Sequence, residues 1–264
     1  MKILMLGDIV GELGRYTLLK YLAELKTMLS PDLVIVNGEN SAANGRGITR
    51  TISRELLGAG VDCITLGNHA WAQSEVFDFI ESETKVVRPA NFPPGTPGRG
   101  FATITTSSGK CTVISLMGRT FLQPLECPFR TIDKILQKIP ESHYIIVDLH
   151  AETTSEKQSL AWYVDGRVSA VIGTHTHVQT ADERILPQGT GYLTDVGMVG
   201  PYDGVLGMEK DAVIRRFLTQ LPVRFEVAKG RCQLNGIFME FDSQTKKAKK
   251  LKRIRIDEDN PLIS

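Results

Sequence analysis

The chain has 264 residues, of which 42% are hydrophobic and 23% are charged. These proportions are typical of a globular protein and exclude a disordered or collagen-like chain. Lys and Arg number 31, and Asp and Glu number 30, so the formal net charge is +1. Because so balanced a charge creates no field that attracts polyanions over the whole surface, composition argues against a nucleic-acid coat protein.

The cysteines and the apolar runs bear on the cellular compartment. Four cysteines lie far apart in the sequence and form no C-x-x-C pair, so a disulfide framework is not expected. The first apolar run ends at Gly7-Asp8, which is too short for a signal peptide, and no stretch approaches the roughly 20 apolar residues of a membrane span. We therefore expect a cytoplasmic protein.

Up to residue 172, short apolar runs alternate with amphipathic segments, which is typical of an α/β fold. Leucines at helical spacing predict a helix that contains Leu18–Leu29 and ends at Pro31, a second helix is predicted over 51–58, and a third begins at the capping pattern Thr153-x-x-Glu156. The predicted strands are 2–7, 33–37, 61–66, 111–117, 143–149 and 168–172.

After Gly189 the pattern becomes richer in strands, which predicts a partly antiparallel sheet. A single helix is predicted around 209–219. We expect the Pro- and Gly-rich stretch 89–100 to be a surface loop, and the whole chain, 1–264, to be one domain. The predicted strands of this part are Tyr192–Thr194, Val223–Ala228, Arg231–Phe241 and Lys249–Ile256.

Polar side chains follow five of the predicted strands, where ligands bind in open α/β sheets. Each alone has a common structural explanation, such as a helix cap, a turn or a hydrogen-bonded histidine. Five such positions in succession favour a functional site. The residues are Asp8, Glu39 and Asn40, Asn68 and His69, His150, and the pair His175 and His177.

The ligands in this set are oxygen and nitrogen, which disfavours a thiolate zinc site. On an extended segment, His175 and His177 would point to the same side. Seven ligands exceed the needs of one tetrahedral ion and suit two ions that share a carboxylate. Mixed imidazole and oxygen ligation fits iron, manganese or zinc.

The motifs around these residues resemble those of the calcineurin-like metallophosphoesterases. The blocks are Gly7-Asp8, Gly38-Glu39-Asn40, Gly67-Asn68-His69, His150 and Gly173-Thr174-His175-Thr176-His177. Glu-Asn in the second block and G-T-H-T-H in the last are similar to the bacterial YmdB-type cyclic-nucleotide phosphodiesterases. The stretches 88–93 and 194–198 extend the resemblance over nearly the whole chain. It implies two mixed β-sheets packed face to face and flanked by helices, a four-layer sandwich.

The resemblance also implies roles for individual residues. One metal would be held by Asp8, Glu39, Asn40 and His177, and the other by Glu39, Asn68, His150 and His175, with His69 as the catalytic proton donor. Three positions depart from the wider family. Val10 replaces a histidine ligand, Glu39 replaces the bridging Asp, and Ala70 replaces the acid that follows Asn-His. Asn40 is then the substitute ligand, and its amide oxygen favours iron, with manganese second, over zinc.

The implied function is a dinuclear phosphodiesterase that converts 2′,3′-cyclic nucleotides to 3′-nucleotides and also acts on 3′,5′-cyclic nucleotides. A metal-bridging hydroxide would attack phosphorus while His69 protonates the leaving oxygen. The partner is a small-molecule cyclic nucleotide, with no membrane and no stable nucleic-acid complex, and a homo-oligomer stays open. No substrate-binding residue is assigned.

Three alternatives remain: a metal-dependent phosphomonoesterase, a dinuclear amidase or peptidase, and an RNA-binding regulatory protein. The RNA-binding alternative would use the basic cluster at 246–253, although this cluster has no aromatic residues for base stacking. Alternating Leu251 and Ile254 instead predict an edge strand guarded by lysines.

Overall fold

The computed structural model describes residues 1–262. The helices are α1 (Gly11–Leu29), α2 (Arg50–Gly58), α3 (Pro128–Leu136), α4 (Thr154–Tyr163) and α5 (Lys210–Thr219). The strands are β1 (Lys2–Ile9), β2 (Leu33–Asn37), β3 (Cys63–Thr65), β4 (Val86–Val87), β5 (Phe101–Thr106), β6 (Gly109–Met117), β7 (Tyr144–His150), β8 (Ala170–Thr174), β9 (Arg184–Ile185), β10 (Gly191–Leu193), β11 (Met198–Pro201), β12 (Cys232–Phe241) and β13 (Ala248–Ile256).

These strands form two mixed sheets. The seven-stranded sheet has the order β13-β12-β11-β1-β2-β3-β4, and the six-stranded sheet has the order β5-β6-β7-β8-β10-β9. β1, β2 and β3 are mutually parallel, as are β6, β7 and β8, whereas the edges of both sheets contain antiparallel pairs. The predicted fold of two mixed sheets is confirmed.

The sheets pack face to face, and helices cover their outer faces. In β1, Ile3 and Met5 face the core between the sheets, while Leu4 and Leu6 face the core that contains α1 and α2. A third apolar cluster joins α3 and α4 to the outer face of the six-stranded sheet. Since β1 is buried on both faces, its sequence is a continuous apolar run rather than an alternating one.

Strand register brings the polar strand ends level with one another. Asp8 on β1 is paired with Asn37 on β2, which in turn is paired with Thr65 on β3. In the other sheet, His150 on β7 is paired with Thr174 on β8. The residues that follow these positions therefore leave the sheets at the carboxyl ends of parallel strands, where ligands bind in α/β proteins.

Two local predictions are wrong. Val223–Ala228 is not a strand, because apart from an isolated bridge between Val227 and Met208 it has no neighbouring strand to pair with. Helix α4 does begin after Thr153, but the Thr153 side chain makes no capping hydrogen bond. The Glu156 carboxylate instead accepts backbone N–H bonds from Arg119 at 3.0 Å and Thr120 at 3.2 Å, which fixes the loop after β6.

Four strands that the sequence pattern did not predict are β4, β5, β9 and β11. Three of them are four residues or fewer, and β5 is a threonine-rich edge strand without a clear apolar alternation. β13 is an edge strand, as its lysines predicted. Within residues 1–262, the helices lack the combination of length and apolar character that crossing a membrane requires.

Candidate metal centre

Three side chains converge on one nitrogen of a buried histidine. His150 Nε2 lies 3.0 Å from Glu39 Oε1, 2.8 Å from Asn68 Oδ1 and 3.0 Å from His175 Nδ1. His150 and Glu39 are fully buried. These four residues come from the ends of β2, β3, β7 and β8, which is where the sequence placed them.

This arrangement has the chemistry of a cation site. A single Nε2–H bond can be directed to one neighbour only, so the lone pairs of the other facing atoms would remain without a donor. A cation among these atoms would satisfy all of them at once, and imidazole, carboxylate and amide oxygens are ordinary metal ligands. The ligand atoms of Glu39, His150 and His175 all lie within 4.8 Å of one another. These residues fit a metal ion.

A second set of polar atoms lies beside the first. Asp8 Oδ1 and Asn40 Oδ1 are buried without a hydrogen-bond partner among the described residues. The Asn40 amide donates from Nδ2 to the carbonyl of Gly45 at 2.9 Å, which leaves its oxygen free. Buried polar atoms without partners are costly, and a cation between these two oxygens would satisfy both of them.

His177 belongs to this second set. Its Nδ1 lies 3.0 Å from the carbonyl of Leu206, and its Nε2 lies 3.9 Å from Asp8 Oδ2. A backbone carbonyl that accepts from one ring nitrogen leaves the other nitrogen unprotonated, which is the usual support of a metal-binding histidine. Asp8 Oδ1 also lies 4.0 Å from His150 Nδ1, which joins the two sets into one site.

The predicted extended geometry of the His175-Thr176-His177 segment is wrong. His175 has φ 100° and His177 has φ 63°, so both residues have left-handed backbone conformations. Hydrogen bonds impose this turn, since the N–H of His175 donates to Asp8 Oδ2 and the N–H of Thr176 donates to Asp195 Oδ2, both at 3.0 Å. The two imidazoles still reach the same site, but through a constrained turn.

A buried ion pair supports the same turn. Lys157 Nζ on α4 lies 2.7 Å from Asp195 Oδ2, and both side chains are fully buried. The other carboxylate oxygen of Asp195 accepts the N–H of Gly197 at 2.9 Å. Asp195 thereby joins the ammonium of Lys157 to the backbone between the two histidines.

Further polar contacts orient the histidine rings. Thr174 Oγ1 lies 2.9 Å from His150 Nδ1 and donates to Asp148 Oδ1 at 2.6 Å. His175 Nε2 lies 3.0 Å from Glu152 Oε2. Such outer partners fix the ring orientation and tautomer of a ligand histidine.

Gly67 allows the close approach of these groups. A Cβ at this position would collide with the ring of His150 and with the carboxylate of Glu39. The G-N-H order at the end of β3 therefore has a packing cause, because only glycine leaves room for both ligands.

The pKa values of the site reflect burial opposed by close opposite charges. Burial alone would lower the pKa of His150, but the facing Glu39 carboxylate raises it to about 9. Burial raises the pKa of Asp8 well above its usual value, because His150 offsets that cost only in part. Burial, followed by the neighbouring His150, lowers the pKa of His175 to about 3. A cation beside the Asp8 carboxylate would offset this burial cost.

His69 lies at the edge of the cluster and is half-buried. Its backbone N–H donates to Glu39 Oε2 at 2.9 Å. Burial lowers the pKa of its imidazole, and the nearby Glu39 carboxylate opposes that shift. Among residues 1–262, no side chain makes a hydrogen bond with the His69 ring, and Ala70 is packed in the apolar core.

Sequence reasoning missed several residues that shape the site. Asp195 lies inside the stretch 194–198 that carried the family resemblance, so a polar residue in that motif was the available signal. Glu152 follows His150 by two residues, but sequence alone does not reveal that it turns back towards His175. No sequence feature identifies Lys157, because a lysine on a helix is ordinarily exposed and its burial is visible only in the structure.

Comparison with known proteins identifies the family of this chain. A family model described as "YmdB-like protein" matches residues 4–254. A protein of Bacillus subtilis (strain 168) named 2′,3′-cyclic-nucleotide 2′-phosphodiesterase is 53% identical over 261 residues, covering 98% of each chain.

Two solved structures are also similar along almost their whole length. A hypothetical protein from Thermus thermophilus has a TM-score of 0.92 at 43% identity, covering 98% of this chain and 100% of its own. A novel phosphatase of Mycoplasma pneumoniae has a TM-score of 0.93 at 39% identity, covering 99% and 95%. The predictions of a metallophosphoesterase fold and of an enzyme of the phosphatase or phosphodiesterase type are confirmed.

Proposed function

The chain belongs to the YmdB-like family, and from that premise we propose that it is a two-metal phosphodiesterase that opens nucleoside 2′,3′-cyclic phosphates to 3′-phosphates. The substrate is taken from the name of the B. subtilis relative, with which this chain shares 53% of its residues. 3′,5′-Cyclic nucleotides are proposed as secondary substrates. The protein is proposed to act in the cytoplasm.

We assign the metal ligands residue by residue. Glu39, Asn68, His150 and His175 would hold one cation, and Asp8, Glu39, Asn40 and His177 the other. Glu39 would then touch both, which accords with its burial between His150 and the N–H of His69. Iron is the preferred metal and manganese the second choice, because an amide oxygen replaces an imidazole in the second set.

When bound, a pair of cations would neutralise charge on the phosphoryl oxygens and supply hydroxide at neutral pH. The chain's own contribution is placement and proton transfer. The side chains of the two sets would hold the cations at the carboxyl ends of the strands, where the phosphoryl group would bind. His69, at the edge of the cluster, would donate a proton to the departing ribose oxygen.

The observation that carries this proposal is the convergence of Glu39, Asn68 and His175 on His150 Nε2, together with the partnerless Asp8 Oδ1. The experiment is elemental analysis of the purified protein, followed by assays with a substrate panel. The panel contains 2′,3′-cyclic and 3′,5′-cyclic nucleotides, a chromogenic phosphomonoester and a chromogenic amide. Hydrolysis of the monoester or the amide in preference to the cyclic esters would contradict the proposal.

Glu39→Gln is the most informative single substitution. Removing the shared charge should lower metal content and activity together. The loss of activity should exceed the roughly 10–100-fold loss that is typical when an outer partner of a metal ligand is removed. Elemental analysis and turnover of 2′,3′-cyclic AMP measure both effects. Glu24→Gln, an exposed position on α1, is the matched control. Wild-type turnover in Glu39→Gln would remove Glu39 from the site.

The structure weakens the RNA-binding alternative for the basic cluster at 246–253. Lys249 lies 2.8 Å from Asp242, Lys250 lies 3.8 Å from Glu240, and the Arg253 Nε lies 2.7 Å from Glu183. These carboxylates offset much of the positive charge that would attract a polyanion.

A further inference from the structure

A cavity of about 480 Å³ lies between the loop 41–47 and the segment that follows α5. Its lining includes Asn44 and Arg46 from the loop, Arg216 from the last turn of α5, and Arg224 and Phe225 from the segment after it. The cavity therefore combines three guanidinium groups, one carboxamide and one aromatic ring.

The positive charge of this cavity has no acidic partner. Within residues 1–262, Arg46, Arg216 and Arg224 form no ion pair, and the cavity lining contains no carboxylate. Elsewhere in the described residues, Arg231 pairs with Asp203 at 2.6 Å and Arg255 pairs with Asp257 at 2.7 Å, whereas Arg215, like the cavity arginines, has no ion pair. Guanidinium groups without carboxylate partners are suited to bind phosphate.

The loop that carries Arg46 is attached directly to the metal centre. Asn40 Nδ2 donates to the carbonyl of Gly45 at 2.9 Å, and the N–H of Gly47 donates to the carbonyl of Glu39. Gln73, four residues after His69, donates to the carbonyl of Arg46 at 2.7 Å. The loop thus connects two proposed ligands with the segment that follows the proposed proton donor.

Packing also holds this loop against the opposite wall of the cavity. Gly45 has φ +74°, and a Cβ there would lie 2.8 Å from Met208 Cε and 3.0 Å from Val227 Cγ2. Val227 lies two residues after Phe225. The loop and the 222–228 segment therefore pack closely beside the cavity, which fixes the spacing of the backbone segments that carry Arg46 and Arg224.

From this placement we infer that Arg46, Arg216 and Arg224 form a subsite for a phosphate on the 5′ side of a nucleoside 2′,3′-cyclic phosphate. The inference rests on the proposed function. If His69 protonates the leaving ribose oxygen, the nucleoside lies on the His69 side of the cations. Arg46 lies on that side, since Gln73, four residues after His69, donates to its carbonyl. A cyclic mononucleotide has one phosphate, which the cations hold. The arginines therefore select a substrate with a second phosphate, as in a 5′-phosphorylated cyclic mononucleotide or the 3′ end of an oligoribonucleotide.

The test compares kcat/KM for three substrates: adenosine 2′,3′-cyclic phosphate, its 5′-phosphorylated form, and a diadenosine with a terminal 2′,3′-cyclic phosphate. The wild-type protein should prefer one or both of the last two by about tenfold or more, the usual size of a charge-assisted hydrogen bond. This preference should shrink as salt is added, because phosphate contacts release counterions. A preference for both substrates identifies the 5′-phosphate itself, and a preference for the dinucleotide alone identifies an RNA end.

Arg224→Gln and Arg216→Gln should each reduce the ratio between the second-phosphate substrates and the plain cyclic nucleotide. Arg215→Gln, an exposed neighbour on α5 that does not line the cavity, should leave the ratio unchanged. Equal kcat/KM for all three substrates in the wild type would overturn the subsite and leave the proposed function standing. Failure to hydrolyse any of them would overturn the proposed function, and the subsite with it.

Discussion

At position 10, where the wider family has a histidine ligand, this chain has a valine that packs against Gly200 and Gly207. A Cβ added at Gly200 would lie 3.0 Å from Val10 Cβ, and one added at Gly207 would lie 2.9 Å from Val10 Cγ1. Val10 is completely buried. Valine supplies no nitrogen ligand, and the free oxygen of Asn40 is the replacement that we propose.

The pKa of His69 gives the proposed proton donor a distinctive pH dependence. Burial lowers this pKa below the ordinary histidine value of about 6.5. The protonated imidazole, which is the form that can donate, is present below the pKa and disappears as pH rises through it. kcat/KM should therefore fall on the alkaline side, while protonation of the ligand histidines and loss of metal should produce an acid limb.

His69→Ala should lower turnover by roughly 10²–10⁴-fold, the usual contribution of a general acid. It should also remove the alkaline limb and leave metal content unchanged. Elemental analysis and a kcat/KM profile against pH measure these effects. His143→Gln serves as the control. His143 precedes β7, at the end of that strand opposite to His150, and its ring forms a hydrogen bond with Thr112. If the His69→Ala variant kept the alkaline limb with the same midpoint, that limb would belong to a group other than His69.

At the scale of elements, the turn after β8 determines the direction of the two histidine rings, which the strands alone would not. Strands place residues in rows, but the left-handed backbone of His175 and His177 aims both rings at the centre. L-residues seldom adopt this conformation, so surrounding contacts must hold it. Asp195 supplies one of these contacts at Thr176, and its charge is balanced by Lys157.

Asp195→Asn tests this support. The substitution leaves the buried ammonium of Lys157 without a full counter-charge, which typically costs about 3–5 kcal/mol when a buried pair is broken. Chemical denaturation should show this loss in the free energy of unfolding, and metal affinity should fall because the turn relaxes. Asp78→Asn, at an exposed position, should change neither quantity. Unchanged stability would show that the buried pair does not hold the turn.

At the scale of the whole molecule, the sequence predicted the alternation of strands and helices and the polar residues at the strand ends. These features have local causes, namely apolar runs of strand length and Gly, Asn or Asp where a strand stops. The sheet order was not predictable, because β11, which pairs with both β1 and β12, is only four residues long. Nor was the contact between Glu152 and His175, which depends on the turn that the chain makes after β7.

The arrangement of the two sheets explains how distant residues form one site. His175 and Asp8 are 167 positions apart in the sequence, yet the N–H of His175 donates to Asp8 Oδ2 at 3.0 Å. This contact joins the carboxyl ends of β8 and β1, which belong to different sheets. The site therefore depends on face-to-face packing of the sheets, and no single segment could form it alone.

Anomalous diffraction from crystals loaded with Mn²⁺ would locate the proposed pair of cations. We expect two peaks roughly 3.5–4 Å apart, the spacing of two-metal sites. One peak should lie among Asn68, His150 and His175 and the other among Asp8, Asn40 and His177, with the Glu39 carboxylate between them. A single peak, or paired peaks away from these side chains, would contradict a two-metal centre built from these seven residues.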